Sequence, residues 1–152
     1  MLLRRSFVFI ESGGWDTHVQ QGTRNGQFAR VATDFAQSIS TFWEDLGNWQ
    51  DDVSVLTMTE FGRTVHENGS GGTDHGRGSC MFVLSNSVVG GKVWGTVPEL
   101  APENLADGRD LPVTTDFRAL FANVARHHFQ LDQPAILFPG WNGREVEIMK
   151  VS

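Results

Sequence analysis

The chain has 152 residues, of which 12 are Lys or Arg and 18 are Asp or Glu, giving a formal charge of −6. That length holds one ordinary domain, and 39% apolar residues, with 11 Phe and 5 Trp, are enough for a core, which argues against disorder. The acidic balance, with no Lys/Arg run, excludes a nucleic-acid groove; the single cysteine excludes a disulfide framework and a thiolate zinc site. No apolar run approaches the roughly 20 residues needed to cross a bilayer.

Leu3-Arg4-Arg5-Ser6-Phe7-Val8 looks like a twin-arginine signal, but the apolar stretch stops at Ile10, and Glu11, Trp15 and Asp16 follow. Two basic residues leading into a strand is the better reading. Ser6 to Ile10 is rich in β-formers, ends at Ser12-Gly13-Gly14 and predicts a buried strand. From Asn25 to Leu46 the residues Phe28, Val31, Phe35, Ile39, Phe42 and Leu46 recur at helical spacing, and Gly47 is a natural stop. This stripe reads as core packing. Val53 to Thr59 predicts a second strand and Met81 to Leu84 a third, with Cys80 before it read as a small buried hydrophobe. Val88 to Leu111, with glycines and two prolines, reads as loops with room for one hairpin. Thr115-Asp116 caps a helix carrying Phe117, Leu120, Phe121, Val124 and Phe129, and His127-His128 sit near its end, where they suit the helix dipole.

Strand, long helix, strand is a βαβ unit, so strands one and two are expected to be parallel with their carboxyl ends on one edge. In open α/β sheets ligands bind at that edge. The glycine-rich Val65 to Gly78 has no helical period and most simply returns the chain antiparallel. Three clusters then meet on one rim: Gly13-Gly14-Trp15-Asp16-Thr17-His18, Thr59-Glu60-Phe61-Gly62-Arg63-Thr64, and Gly71-Gly72-Thr73-Asp74-His75-Gly76.

Asp16, His18, Glu60, Asp74 and His75 on such a rim suit a divalent ion. Zinc or manganese fits the histidines best, ahead of magnesium or calcium. Arg63 beside them would hold a tetrahedral anion by a forked pair of hydrogen bonds. Each member also has a plainer reading: Asp16 and His18 as a capped turn, Glu60 as a surface partner of Arg63, Asp74 as a turn residue, His75 as a loop histidine. His66 is a secondary candidate. Trp94 and Trp141 fall in loops, where interface and pocket-wall roles are both open.

The same three motifs, the third taken from Asn68-Gly69-Ser70 through Gly76, followed by Gly90-Gly91-Lys92-Val93-Trp94-Gly95 and by Asp107-Gly108-Arg109-Asp110-Leu111 through Thr114-Thr115-Asp116-Phe117, resemble a bacterial family of unknown function whose members are often twin-arginine-exported and belong to the alkaline phosphatase and sulfatase superfamily. The resemblance runs from about Phe7 to Phe129. It implies an α/β fold, part of an alkaline-phosphatase-like three-layer sandwich with a mostly parallel sheet and an antiparallel return strand. It implies Asp16 and His18 as ligands to one metal, Glu60 where the superfamily has a strand-end Asp, and His75 as a late histidine ligand. It also suggests an exported or periplasmic protein. Two departures stand out: Glu60-Phe61 replaces an Asp-His pair, which bears on a second metal, and the superfamily's early Asp and nucleophile have no counterpart before Phe7. The expectation is therefore one domain over 1–152, corresponding to the C-terminal portion of a larger one.

Two functions follow: a metal-dependent hydrolase-type domain for small anionic phosphate or sulfate esters, and a non-catalytic metal- or ligand-binding module. A structural fragment with no site is the third reading. No candidate nucleophile accompanies the cluster, so little esterase activity is expected from this chain alone, with a metal-activated water as the remaining attacker. Strand edges without partners imply a homo-oligomer.

Overall fold

The computed structural model describes residues 5–150, so Leu3 and Arg4 of the twin-arginine-like stretch lie outside the described residues. The apolar period from Phe28 onward forms helix α1, Gln27–Leu46, followed by a 3-10 turn over Gly47–Asp52. Trp15 packs the edge of its indole on this helix, 6.2 Å from Phe28 and 5.4 Å from Phe35 between ring centroids. The stripe is not a closed core: no residue of α1 is buried, and Phe28 and Phe42 are 40% and 45% exposed.

The strands are short. β1 (Val55–Leu56) pairs antiparallel with β4 (Val83–Leu84), with Val55 opposite Leu84 and Leu56 opposite Val83. The pairing extends through Thr57, whose N–H donates to Phe82 O at 3.0 Å and whose Oγ1 accepts from Phe82 N at 2.9 Å. β2 (Gly62–Arg63) pairs antiparallel with β3 (His75–Gly76), placing Arg63 opposite His75. Gly62 is sterically required there: a Cβ would lie 1.9 Å from the carbonyl oxygen of Gly78. The antiparallel return of the third expected strand on the second is present, but the parallel βαβ pairing is not shown.

The expected first strand is the main correction. Ser6 to Ile10 joins no ladder among the described residues, and Phe7, Val8, Phe9 and Ile10 are 70–80% exposed. A β-forming run becomes a strand only when a neighbour takes up its N–H and C=O groups, and here β1 is paired to β4. Cys80 is also corrected. It is exposed, because the ladder begins only at Val83 and leaves Cys80 in the preceding loop.

The core is built on the second helix and the tail. Helix α2, Phe117–Phe129, starts at Asp116, whose side chain accepts from Arg118 N at 2.9 Å, and ends at Gln130 in the left-handed region. Val124 packs with Ile148 and Met149, and Leu56, Val83, Val88, Leu120 and Val146 close around them. The tail segment that supplies Val146, Ile148 and Met149 alternates polar and apolar only over Glu145-Val146-Glu147-Ile148, and sequence reading gave it no role. Its backbone is held by Asn123, 4% exposed, whose Oδ1 accepts from both Ile148 N and Met149 N at 3.0 Å. His128 ties the helix end to β1 through Ser54 Oγ at 2.6 Å from Nε2, and burial pushes its pKa down.

Asn123→Ala leaves the buried N–H of Met149 without an acceptor and leaves Ile148 N only the Val146 carbonyl at 2.9 Å. The expected cost is about 1–3 kcal/mol in urea unfolding, and a loss below about 0.5 kcal/mol would contradict this assignment.

Candidate metal centre

Three chain segments far apart in sequence meet around Asp16. The first is the turn Trp15 to Gln21, locked by Thr17, which is 3% exposed and donates through Oγ1 to Gln21 Oε1 at 2.7 Å. The second is β2, and the third is the loop Asn68 to Asp74 leading into β3. The loop lies directly on the turn: Gln20 N donates to Ser70 O at 3.0 Å, Gln21 N to Gly71 O at 2.8 Å and Thr73 N to Thr17 O at 3.3 Å. This contact requires glycine at position 72, where a Cβ would come within 2.3 Å of the His18 carbonyl.

Asn68 is the pin of the loop. Its Oδ1 accepts from Ser70 N at 2.9 Å and Gly72 N at 3.1 Å, while its Nδ2 reaches His18 O at 3.0 Å and Asp74 Oδ1 at 3.1 Å. Asp74 is fixed further by its backbone, which exchanges bonds with Thr64: Thr64 N to Asp74 O at 2.9 Å and Asp74 N to Thr64 Oγ1 at 3.1 Å.

The result is a convergence on one oxygen. Asp16 Oδ1 lies 2.6 Å from Arg63 Nη1, 2.8 Å from His75 Nε2 and 2.9 Å from His18 Nε2. Ligand atoms of Asp16, His18 and His75 all lie within 4.8 Å of one another, and these three form the one metal-compatible group among the described residues. His18 Nδ1 faces Asp74 Oδ1 at 3.0 Å, so Asp74 acts through His18. His75 is held in its plane by Phe61, whose ring stacks on the imidazole at 3.9 Å and 11°. Glu60 is exposed in the bend before β2 and stands apart from the group. His66 is exposed and enters only through its carbonyl, which accepts from Thr64 Oγ1 at 3.0 Å.

Arg63 is engaged inward. Its Nε donates to Thr73 Oγ1 at 2.9 Å, its Nη2 to Thr73 O, and its Nη1 to Asp16. Thr73 is anchored in turn on Gln21 Oε1 at 2.7 Å. Gln21 was not singled out from sequence, and Asn68, Thr73 and Phe61 stood in the motifs without a role of their own. Asn68 had a usable signal, since an Asn ahead of a glycine-rich turn commonly accepts from the N–H two residues on.

Protonation makes the geometry informative. A neutral imidazole carries one N–H, yet both nitrogens of His18 face carboxylate oxygens. If Nδ1–H donates to Asp74, the Nε2 lone pair points at the lone pairs of Asp16, and a positive charge must lie between them. Three nitrogens crowd one oxygen that has two lone pairs to offer. The arrangement calls for a proton or a cation in the gap.

Arg63 and then His75 hold the Asp16 carboxyl below its ordinary pKa of 3.8, and Asn68 and then His18 do the same for Asp74. Depressed carboxyl pKa values mean that these contacts contribute stability above the ordinary value and lose it as pH falls through the lowered one. Carboxyl-carbon NMR titration should find both groups titrating below 3.8, the ordinary value, and a midpoint above it for either would contradict the contacts described.

No curated protein and no solved structure matches this chain. The family model described as a protein of unknown function (DUF1501) matches residues 3–137, which include every residue of the cluster, and on that match the chain belongs to this family of unknown function.

Proposed function

We propose that the chain is a metal-dependent hydrolase-type domain for phosphate or sulfate esters, built on Asp16, His18 and His75, in the manner of the alkaline phosphatase and sulfatase superfamily that its motifs resemble. The observation that carries this reading is His18 set between two carboxylates, with Nδ1 on Asp74 and Nε2 aimed at the Asp16–His75 gap. A carboxylate on the far nitrogen of a ligating histidine fixes the tautomer and turns the near nitrogen's lone pair to the metal. Two imidazoles and a carboxylate suit zinc or manganese better than calcium. A bound ion supplies Lewis acidity for an anionic ester oxygen. The chain's own residues supply the rest: Asp74 and Asn68 orient His18, Phe61 orients His75, and Arg63 keeps Asp16 ionised.

One observation favours the second reading, a metal-binding module without chemistry. The hydroxyls around the cluster donate to protein acceptors: Thr17 and Thr73 to Gln21, Thr59 to Phe61 O, and Thr64 to His66 O. These four threonines donate to amide oxygens, which are not bases, so none of the four is activated for attack and turnover through a metal-bound water is the simpler route.

Calorimetric zinc titration of the chain separates these readings from a bare fold. Zinc is expected to bind, and His18→Ala or His75→Ala to weaken binding by about 100-fold or more, with Asp74→Ala costing about 10–100-fold. Undetectable zinc binding by the native chain, or variants that bind as well as it does, would defeat the proposal. Metal-dependent release of an aryl alcohol from its phosphate or sulfate ester then distinguishes hydrolase from module.

The exposed run Phe7 to Ile10 and the open face of α1 also support self-association, since unpaired β-forming segments and apolar helix faces tend to be covered by another chain. Sedimentation is expected to show a dimer or larger species; a stable monomer would contradict this.

A further inference from the structure

We infer that the centre takes a single divalent ion per chain, because the guanidinium of Arg63 permanently fills the second cationic position against the Asp16 carboxylate. This rests on the proposed metal site and concerns how much positive charge that site can accept.

A carboxylate with two histidines can serve one ion, and accepts a second only where no other cation already sits against the group. Here Arg63 Nη1 sits 2.6 Å from Asp16 Oδ1, as close as either histidine nitrogen. It is not a loosely paired surface arginine. Its side chain is 22% exposed, against 54% for Asp16, 42% for His18 and 50% for His75. Its other two nitrogens are bound to Thr73, which is anchored on Gln21, and its position opposite His75 is set by the β2–β3 register. Phe61 lies against it, with the guanidinium carbon 5.8 Å from the centroid of the ring on which His75 stacks. Swinging Arg63 out would break bonds to both Thr73 and Asp16.

Glu60 stands outside the group, and the one further carboxylate beside the group, Asp74, is already engaged with His18 Nδ1 at 3.0 Å and Asn68 Nδ2 at 3.1 Å. Arg63 thus has two electrostatic consequences. It keeps Asp16 in the charged form that a metal needs, and its own charge repels any ion bound nearby. At a separation of a few ångström and an effective dielectric near 20, that repulsion is large enough to be read in affinity.

The sign of the effect makes it testable. If Arg63 were only a structural tie, removing it would loosen Asp16 and weaken metal binding. If it is a resident second cation, removing its charge strengthens binding. Zinc titration by calorimetry, with native mass spectrometry for the ion count and circular dichroism for the fold, should be run on the native chain, Arg63→Gln, Arg63→Lys and the His18→Ala/His75→Ala double variant. The ion count of the site is that of the native chain minus that of the double variant. The expected result is one zinc at the site, tighter binding in Arg63→Gln by about tenfold, and near-native affinity in Arg63→Lys, which keeps the charge. Folded Arg63→Gln that binds zinc no more tightly than the native chain would overturn the inference. Should that variant fail to fold, two ions at the native site would overturn it equally. Either result leaves the metal site itself standing, whereas a native chain that binds no zinc removes both.

Discussion

The contact on which the site depends is between Asp16 Oδ1 and the three nitrogens that approach it. Each nitrogen arrives from a different direction in the chain, and each approach is set by backbone geometry together with side-chain hydrogen bonds. His18 comes from the turn that carries Asp16 itself. Arg63 and His75 face each other across a two-residue ladder. The loop that brings Asp74 is laid on the His18 backbone so closely that a side chain at position 72 could not be accommodated. The geometry therefore survives in a region with almost no buried apolar surface, because hydrogen bonds from Asn68, Thr17, Thr73 and Gln21 replace packing as the fixing agent.

That division of labour separates the molecule into two physical regimes. Around Val124, Ile148 and Met149 the chain is held by apolar burial and by one fully engaged asparagine. Around Asp16 it is held by polar contacts between half-exposed groups, which water and salt can weaken. A site of this kind is preorganised only as well as its hydrogen bonds persist. A cation shared by Asp16, His18 and His75 would relieve the crowding of lone pairs and stabilise the arrangement in return.

The sequence revealed much of the cluster, though partly through a route the structure does not follow. The long helix was legible because six apolar residues fall on one stripe, and the second helix because Asp116 stands where a cap is needed. Asp16, His18, Asp74 and His75 were legible as polar residues flanked by glycines. The expected reason for their meeting was a parallel pair of strands, and Ser6 to Ile10 forms no such pair among the described residues. The clusters meet instead through the β2–β3 ladder and the bridge between Val19 and Gly71. Local apolar run and β-propensity cannot report whether a neighbouring edge exists, which is why Phe7 to Ile10 misled. The inward engagement of Arg63 and the stacking of Phe61 on His75 were equally invisible, since both depend on register across a ladder of two residues. The tail that completes the core was missed because its alternation, Glu145-Val146-Glu147-Ile148, is only four residues long and Met149 joins through burial against α2.

The most direct measurement is X-ray absorption at the zinc edge on the chain loaded with one equivalent of zinc. The expected spectrum shows two imidazole ligands, with their outer-ring scattering, and oxygen completing the coordination; it should lose one imidazole in each of His18→Ala and His75→Ala. A zinc ion surrounded by oxygen alone, or imidazole scattering unchanged in both variants, would contradict a metal centre built on Asp16, His18 and His75.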